Sequence, residues 1–275
     1  MGKGNCDSNR LKTTLHAYYE SNGIAVKGFK CPHWSECEKF GPLPGRGSEA
    51  HIGSSYGDPI RIAVVSLDRG DGAEDVWSRS SEVENSPEKG LNRHMAGTLC
   101  TLKAILCERG SANLWTQFAM INAAKCCNGS KNSVPDQLYE ECSEFGFQEL
   151  ILLKPQIVIA QGKNAKRPLK SLCPIDEVQA SNIANRYLSG LSQQELVHSI
   201  RWMVEKYLYK INLGDACWCL ATPHPSDRGG RWPAFSNLAL PILGRILHDL
   251  VIRQPSSARE AMFGCASILR PAASI

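Results

Sequence analysis

Four short apolar runs, at 60–67, 118–123, 157–160 and 216–222, are strand-length and are separated by segments with helical spacing. Alternation of this kind predicts a mostly parallel sheet, because parallel neighbours need long crossovers and those crossovers pack over both faces. The expected fold class is therefore α/β: a three-layer α/β/α sandwich around a central, four-stranded, mostly parallel sheet. Helices are read at 10–21, 94–108, 135–153, 164–172, 180–210 with a break near Gly190, and 234–252. The Gly- and Pro-rich segment 28–56 reads as an irregular loop, and the polar stretch 68–89 as a long functional loop.

The 275 residues accommodate one α/β domain with extensions as readily as two domains. The division read here is a helical extension at 1–27, a main domain at 28–253 and a tail at 254–275. A hydrophobic fraction of 43% is ample for a core, no apolar run has the length of a membrane span, and the first residues contain no apolar signal region. The expectation is a soluble, cytoplasmic monomer. A net charge of +4 is compatible with a nucleic-acid partner without requiring one.

Twelve cysteines without a secretion signal argue against a disulfide framework and for metal or buried thiols. Cys126 follows the second strand, Cys142 lies on the next helix, and Cys31 and Cys37 sit in the upstream loop. Together they form a candidate four-thiolate site that suits an iron-sulfur cluster or zinc, with Cys127 a rival to Cys126. Cys100 and Cys107 share one helical face, and Cys217 and Cys219 alternate on a strand; all four read as core.

In an open parallel sheet ligands bind beyond the carboxyl ends of the strands, so the residues there are the candidates for chemistry. They are Ser66 and Asp68 after the first strand, Asn122 at the second, Gln161 to Asn164 after the third, and His224 to Ser226 after the fourth. Asp68 can orient or deprotonate a water, Asn122 can bond the edge of a planar amide-like ligand, and His224 can stabilise charge on a leaving group. Lys163 begins a cationic segment suited to phosphate. In the loop after His224, Arg228 and Arg231 can grip phosphates while Trp232 wedges into a base stack or tucks onto the scaffold.

The segments Ile121-Asn-Ala-Ala-Lys-Cys126 and Leu152-Leu-Lys-Pro-Gln-Ile-Val-Ile-Ala-Gln-Gly162, with Cys142 and His224-Pro-Ser226, resemble the uracil-DNA glycosylase superfamily, most closely its iron-sulfur branch. The resemblance spans roughly 28–250. It implies a structural [4Fe-4S] cluster on Cys31, Cys37, Cys126 and Cys142, with zinc the alternative. It also implies that Asn122 contacts a flipped base, that His224 stabilises the departing base anion, and that Ser226, Arg228, Arg231 and Trp232 belong to a DNA-inserting loop. The enzyme would hydrolyse an N-glycosidic bond and leave the backbone intact.

The chain departs from that branch in three places. The first motif is Ser66-Leu-Asp-Arg-Gly70 instead of Gly-Glu-Ala-Pro-Gly, which puts Asp68 where the main uracil-excising branch has its water-activating Asp. The segment that usually supplies a stacking Phe is replaced at 92–97, leaving either His94 to stack or the pocket open, with Ser66 beside the base. The first cysteine pair is spaced Cys-x5-Cys instead of Cys-x2-Cys. A changed pocket suggests a modified pyrimidine, such as the glucosylated hydroxymethylcytosine of phage DNA, excised in antiviral defence. Uracil excision in repair is the alternative, and a non-catalytic nucleic-acid-binding protein on the same scaffold is a second.

Overall fold

The computed structural model describes residues 4–40, 42, 47–67, 73–86, 90–107, 113–127, 135–169, 172–188, 194–227 and 229–251. Among them, seven strands form one mixed sheet: β1 (His51–Ile52), β2 (Ile62–Ser66), β3 (Phe118–Asn122), β4 (Ile157–Gln161), β5 (Cys173–Pro174), β6 (Leu208–Asn212) and β7 (Ala216–Thr222). Their order across the sheet is β1-β3-β2-β4-β7-β6-β5. The strands β3, β2, β4 and β7 run parallel, and β1, β6 and β5 add antiparallel edges. The four apolar runs are the parallel centre, but the sheet is mixed and larger than the four strands expected.

The helices are α1 (Gly4–Ser21), α2 (Trp34–Cys37), α3 (Val76–Glu84), α4 (Arg93–Leu106), α5 (Asp136–Glu141), α6 (Ser143–Leu153), α7 (Glu177–Leu188), α8 (Gln194–Tyr207), α9 (Arg231–Ala234) and α10 (Leu240–Val251). Central strands covered on both faces are apolar at nearly every position, and successive residues feed opposite cores. Ala63, Val65, Ile121, Val158 and Ala160 join Leu15 and Tyr19 of α1 and Leu150 of α6. Ile62, Val64, Phe118, Ile157 and Ile159 join Leu102 of α4, Val204 of α8 and Leu243 of α10. The helix α1 is thus part of the first core. No helix among the described residues is long and apolar enough to cross a membrane.

Several local expectations are corrected. The polar stretch read as a loop contains α3, whose Asp75 N-cap accepts from Trp77 N at 3.1 Å and Ser78 N at 2.8 Å. Its buried face carries Arg79 and Ser80 beside Val76 and Val83, so hydrophobic spacing is faint there. The helix read at 135–153 turns at Cys142, and the one at 164–172 is a single 3₁₀ turn, Asn164–Lys166. The end of the helix read at 180–210 is β6, which pairs with β7 through a turn where Gly214 has φ +96° and its N–H donates to Asn212 Oδ1 at 3.0 Å. The short edge strands β1 and β5 escaped notice because two residues carry no periodicity. Cys217 and Cys219 are buried as expected, whereas Cys100 is exposed and Cys107 half-buried in a left-handed helix end, which takes them out of the core.

Candidate functional site

Parallel pairing aligns the carboxyl ends of the central strands: Ser66 is level with Asn122, Val65 with Ala160, and Gln161 with Thr222. The rim therefore reads Asn122, Ser66, Gln161, Thr222 from β3 to β7. Alternation along β2 and β4 turns Ser66 and Gln161 toward α4, where His94 and Thr98 lie one turn apart on one face. His94 Nε2 is 3.0 Å from Ser66 Oγ and 2.7 Å from Gln161 Oε1. Gln161 Nε2 donates to Thr98 Oγ1 at 3.0 Å, and Thr98 Oγ1 donates to the His94 carbonyl at 3.0 Å. An amide oxygen only accepts, so His94 carries its proton on Nε2.

The His94 ring stacks on His224, with centroids 5.3 Å apart and planes 12° from parallel. Burial, then the charge of His224, pushes the His94 pKa down to about 4, against a smaller upward pull from Gln161 and with Arg79 lowering it further. His94 is thus a neutral ring at physiological pH. The Ser226 N–H donates to His224 Nδ1 at 3.2 Å, so a neutral His224 keeps its proton on Nε2. Two glycines make this packing feasible. Gly162 has φ +96°, and a Cβ there would stand 3.2 Å from His224 Cβ; a Cβ on Gly97 would stand 2.4 Å from Pro225 Cβ and 2.9 Å from Trp232.

At the other end of the rim Asn122 is buried and held by two partners. Arg79 Nη2 donates to Asn122 Oδ1 at 3.0 Å, and Asn122 Nδ2 donates to Ser48 Oγ at 2.8 Å. Arg79 also donates from Nη1 to Ser48 Oγ at 3.2 Å and to the Glu49 carbonyl. The buried Glu49 carboxylate in turn accepts from Val76 N, the first residue of α3, at 3.0 Å and so fixes the helix that delivers Arg79.

The candidate ligand thiols come from the 31–37 segment, the residues after β3 and the turn between α5 and α6. Cys37, Cys126 and Cys142 are buried and Cys31 is half-buried; the loop that carries the first pair is tied to α5 by His33 and Glu141 at 3.5 Å. Cys126 is raised strongly, first by its hydrogen bond to Cys142 and by burial, then by Cys142, Cys37 and Cys31 in turn. Burial pushes Cys31 up to about 11 and Cys37 up to about 12, each with Cys142 contributing. Cys142 is lowered, first by the Cys126 hydrogen bond and then by the Lys125 N–H, which donates to its Sγ at 3.3 Å, and by the Lys125 ammonium. Among the described residues no three His, Cys, Asp or Glu side chains stand as a ready metal-binding group. Four thiols whose charges act on one another are nonetheless the donor type that suits an iron-sulfur cluster or zinc. Cys127 turns elsewhere, its Sγ donating to the Gly47 carbonyl at 3.6 Å, which favours Cys126 in that set. Lys125 pairs with Glu149 in the core, where Glu149 also accepts from the Tyr19 hydroxyl at 2.6 Å.

Of the residues singled out from sequence, His94, Ser66 and His224 meet directly, and Asn122 shares their rim. Asp68, two positions beyond Ser66 in the chain, and Arg228 lie outside the described residues. The cations read as phosphate grips have acidic partners: Lys163 Nζ is 2.6 Å from Asp136, and Arg231 forks onto Asp227 with two contacts of 2.8 Å. That fork is the first cause holding the Asp227 carboxyl well below its usual range. Trp232 packs on the scaffold, with its ring centroid 5.8 Å from that of Phe235, and walls a cavity of about 520 Å³ shared with Arg93, Gly97 and Pro225. A cavity of about 730 Å³ beside Arg61 and Lys154 opens at the amino ends of the strands, away from the rim, and strand polarity favours the rim as the reactive edge. Sequence reasoning missed Arg79 and Ser48, which carried no signal in polar segments, and named Gln161 and Gly162 only as strand-end residues. No family model matches the chain, and no curated protein matches it.

Proposed function

We propose that this chain is a DNA glycosylase of the uracil-DNA glycosylase kind: it hydrolyses the bond between deoxyribose and a base turned out of the duplex, and leaves an abasic site. The observation that carries this reading is that a clamped amide, Asn122, and a stacked pair of imidazoles, His94 and His224, share one rim of parallel strand ends. The target is a modified pyrimidine, such as glucosylated hydroxymethylcytosine in phage DNA; uracil is the alternative. DNA is the partner, and the protein acts as a cytoplasmic monomer.

Cleaving an N-glycosidic bond leaves an electron pair on the base, so the site needs a donor aimed at the base more than it needs a strong acid. With its Nδ1 accepting from the Ser226 N–H, His224 offers its Nε2–H as such a donor, and the stacked, neutral His94 ring holds its orientation without adding competing charge. Asn122 reads a polar edge of the base. Asp68 follows Ser66 closely enough in sequence to serve the water, either as a base or by stabilising positive charge on the sugar. Extruding the nucleotide costs a few kcal/mol, about the scale that a handful of such contacts offsets. Cys31, Cys37, Cys126 and Cys142 would hold a [4Fe-4S] cluster, with zinc the alternative; bound there, the group supplies a cross-link between the 31–37 loop and the β3 and α5 ends.

Purified protein incubated with DNA carrying glucosylated hydroxymethylcytosine, uracil or unmodified bases tests the reading, with abasic sites counted in each. Sites in the modified DNA support the proposal. Sites in uracil DNA alone transfer it to the alternative target. DNA binding without abasic sites on any substrate overturns the enzymatic reading in favour of a binding protein.

A further inference from the structure

We infer that Arg79 determines which base edge this rim accepts, by fixing the order of donor and acceptor on Asn122. The inference rests on the glycosylase reading for its consequence, although the clamp itself is a matter of geometry. An asparagine side chain is nearly symmetric in shape, and turning its amide by half a revolution exchanges oxygen for nitrogen. Whether it presents acceptor and donor in one order or the reverse is decided by what holds it from behind.

Here the holder is a buried guanidinium, which donates and never accepts. Arg79 Nη2 stands 3.0 Å from the amide oxygen, and a turned amide would set N–H against N–H at that contact. Ser48 closes the triangle: its Oγ accepts from Arg79 Nη1 at 3.2 Å and from Asn122 Nδ2 at 2.8 Å. Both Arg79 and Ser48 are buried, so water does not relieve the mismatch that turning would create. One acceptor site on Oδ1 and one N–H on Nδ2 remain for a ligand, in a fixed order.

Pyrimidines differ at the edge that such an amide meets. A cytosine-type edge offers an amino donor beside a ring-nitrogen acceptor, whereas a uracil-type edge offers a carbonyl acceptor beside a ring N–H. The two require opposite amide orientations. A site locked in one orientation rejects the other edge by leaving buried polar groups facing like with like. Arg79 touches neither base nor sugar in this scheme and is a positioning residue.

The test compares wild type, Arg79→Met and Arg79→Lys on matched oligonucleotides that carry a single cytosine-type or uracil-type target, by the ratio of kcat/KM for the two edges. Arg79→Met is expected to reduce that ratio about ten- to a hundredfold, chiefly by improving the rejected base. Arg79→Lys keeps a donor for Oδ1 and is expected to stay within roughly threefold of wild type. Side-chain amide NMR of Asn122 reads the clamp without catalysis: slow hydrogen exchange in wild type and Arg79→Lys, and fast exchange in Arg79→Met. If Arg79→Met does not fold, Ser48→Ala loosens the same amide from its other side and is expected to move both readouts in the same direction. A wild type that releases neither base defeats the glycosylase reading while the NMR arm still decides the clamp. An unchanged ratio, with both rates reduced equally, or an unchanged amide signal overturns the inference.

Discussion

At the β3 end of the rim, Asn122 is gripped by a buried guanidinium, and three residues on, Lys125 is paired with Glu149 in the core. At the β4 and β7 ends, His94 and His224 lie against each other as stacked rings, joined to Gln161 and Ser66 through hydrogen bonds. The first end is built around a guanidinium, which keeps its charge at any ordinary pH; the second is built of imidazoles, whose charge a modest change of environment alters. The two ends are not independent, because the Arg79 charge helps to hold His94 neutral. That contrast divides the rim in two: the guanidinium end fixes geometry, and the imidazole end carries the groups that the proposed reaction would use to answer developing charge.

The largest expected effect lies at the charged end. Lys125→Ala leaves the Glu149 carboxylate buried without its cation and should cost about 3–5 kcal/mol of folding free energy, measured by urea denaturation. A loss below about 1 kcal/mol would show that water reaches Glu149 and that this end is softer than its burial implies. Next comes the pH dependence of the imidazole end. His94 titrates at about 4 in the folded chain, against about 6.5 when unfolded, so its contribution is complete above pH 6.5 and is lost as pH falls toward 4. The loss is on the order of 3 kcal/mol. His51, pushed down to about 3 by burial, has the same sign, so in a His94→Gln variant the slope of unfolding free energy between pH 6 and pH 4 should fall by about half.

A smaller effect is expected at the joint between β4 and His224. Gly162→Ala places a side chain at φ +96° and within 3.2 Å of His224 Cβ, and should cost about 1–3 kcal/mol while displacing the ring from His94. Calorimetry reads the first effect and the His94 and His224 proton shifts read the second; unchanged shifts would mean that the stack does not depend on this glycine. The smallest effect belongs to the exposed fork of Arg231 on Asp227. Arg231→Ala should leave the melting temperature unchanged, while Asp227→Asn should tighten DNA binding by releasing Arg231 toward phosphate, as read by fluorescence anisotropy at two salt concentrations.

Much of the scaffold was legible because its signals are local. The run 216–222 is apolar from end to end and is β7 without adjustment, and the strand-end rule brought Ser66, Asn122, Gln161 and His224 to one rim from residues far apart in the chain. What failed to show was the polar part of the interior. Arg79 is buried by contacts with Asn122, Ser48 and Glu49, none of which is encoded in its own neighbourhood, and its helix hides in a stretch whose composition resembles a surface loop. The strand β6 was merged with a preceding helix because Leu208, Tyr209 and Ile211 extend a helical pattern as readily as a half-buried strand; the turn through Gly214 decided between them. The stack of His94 on His224 joins α4 to the segment after β7, a pairing that spacing alone does not reveal.

Whether this rim cleaves an N-glycosidic bond decides the proposed function. The direct measurement is single-turnover release of free base from the preferred DNA by wild type, His224→Ala and Asn122→Ala, each checked for an unchanged melting temperature. Release by wild type, with each substitution slowing it about 10²- to 10³-fold in a folded protein, is the result expected from a donor and a base-reading amide in the cleft. Equal rates in all three proteins would contradict it and place the chemistry elsewhere on the molecule.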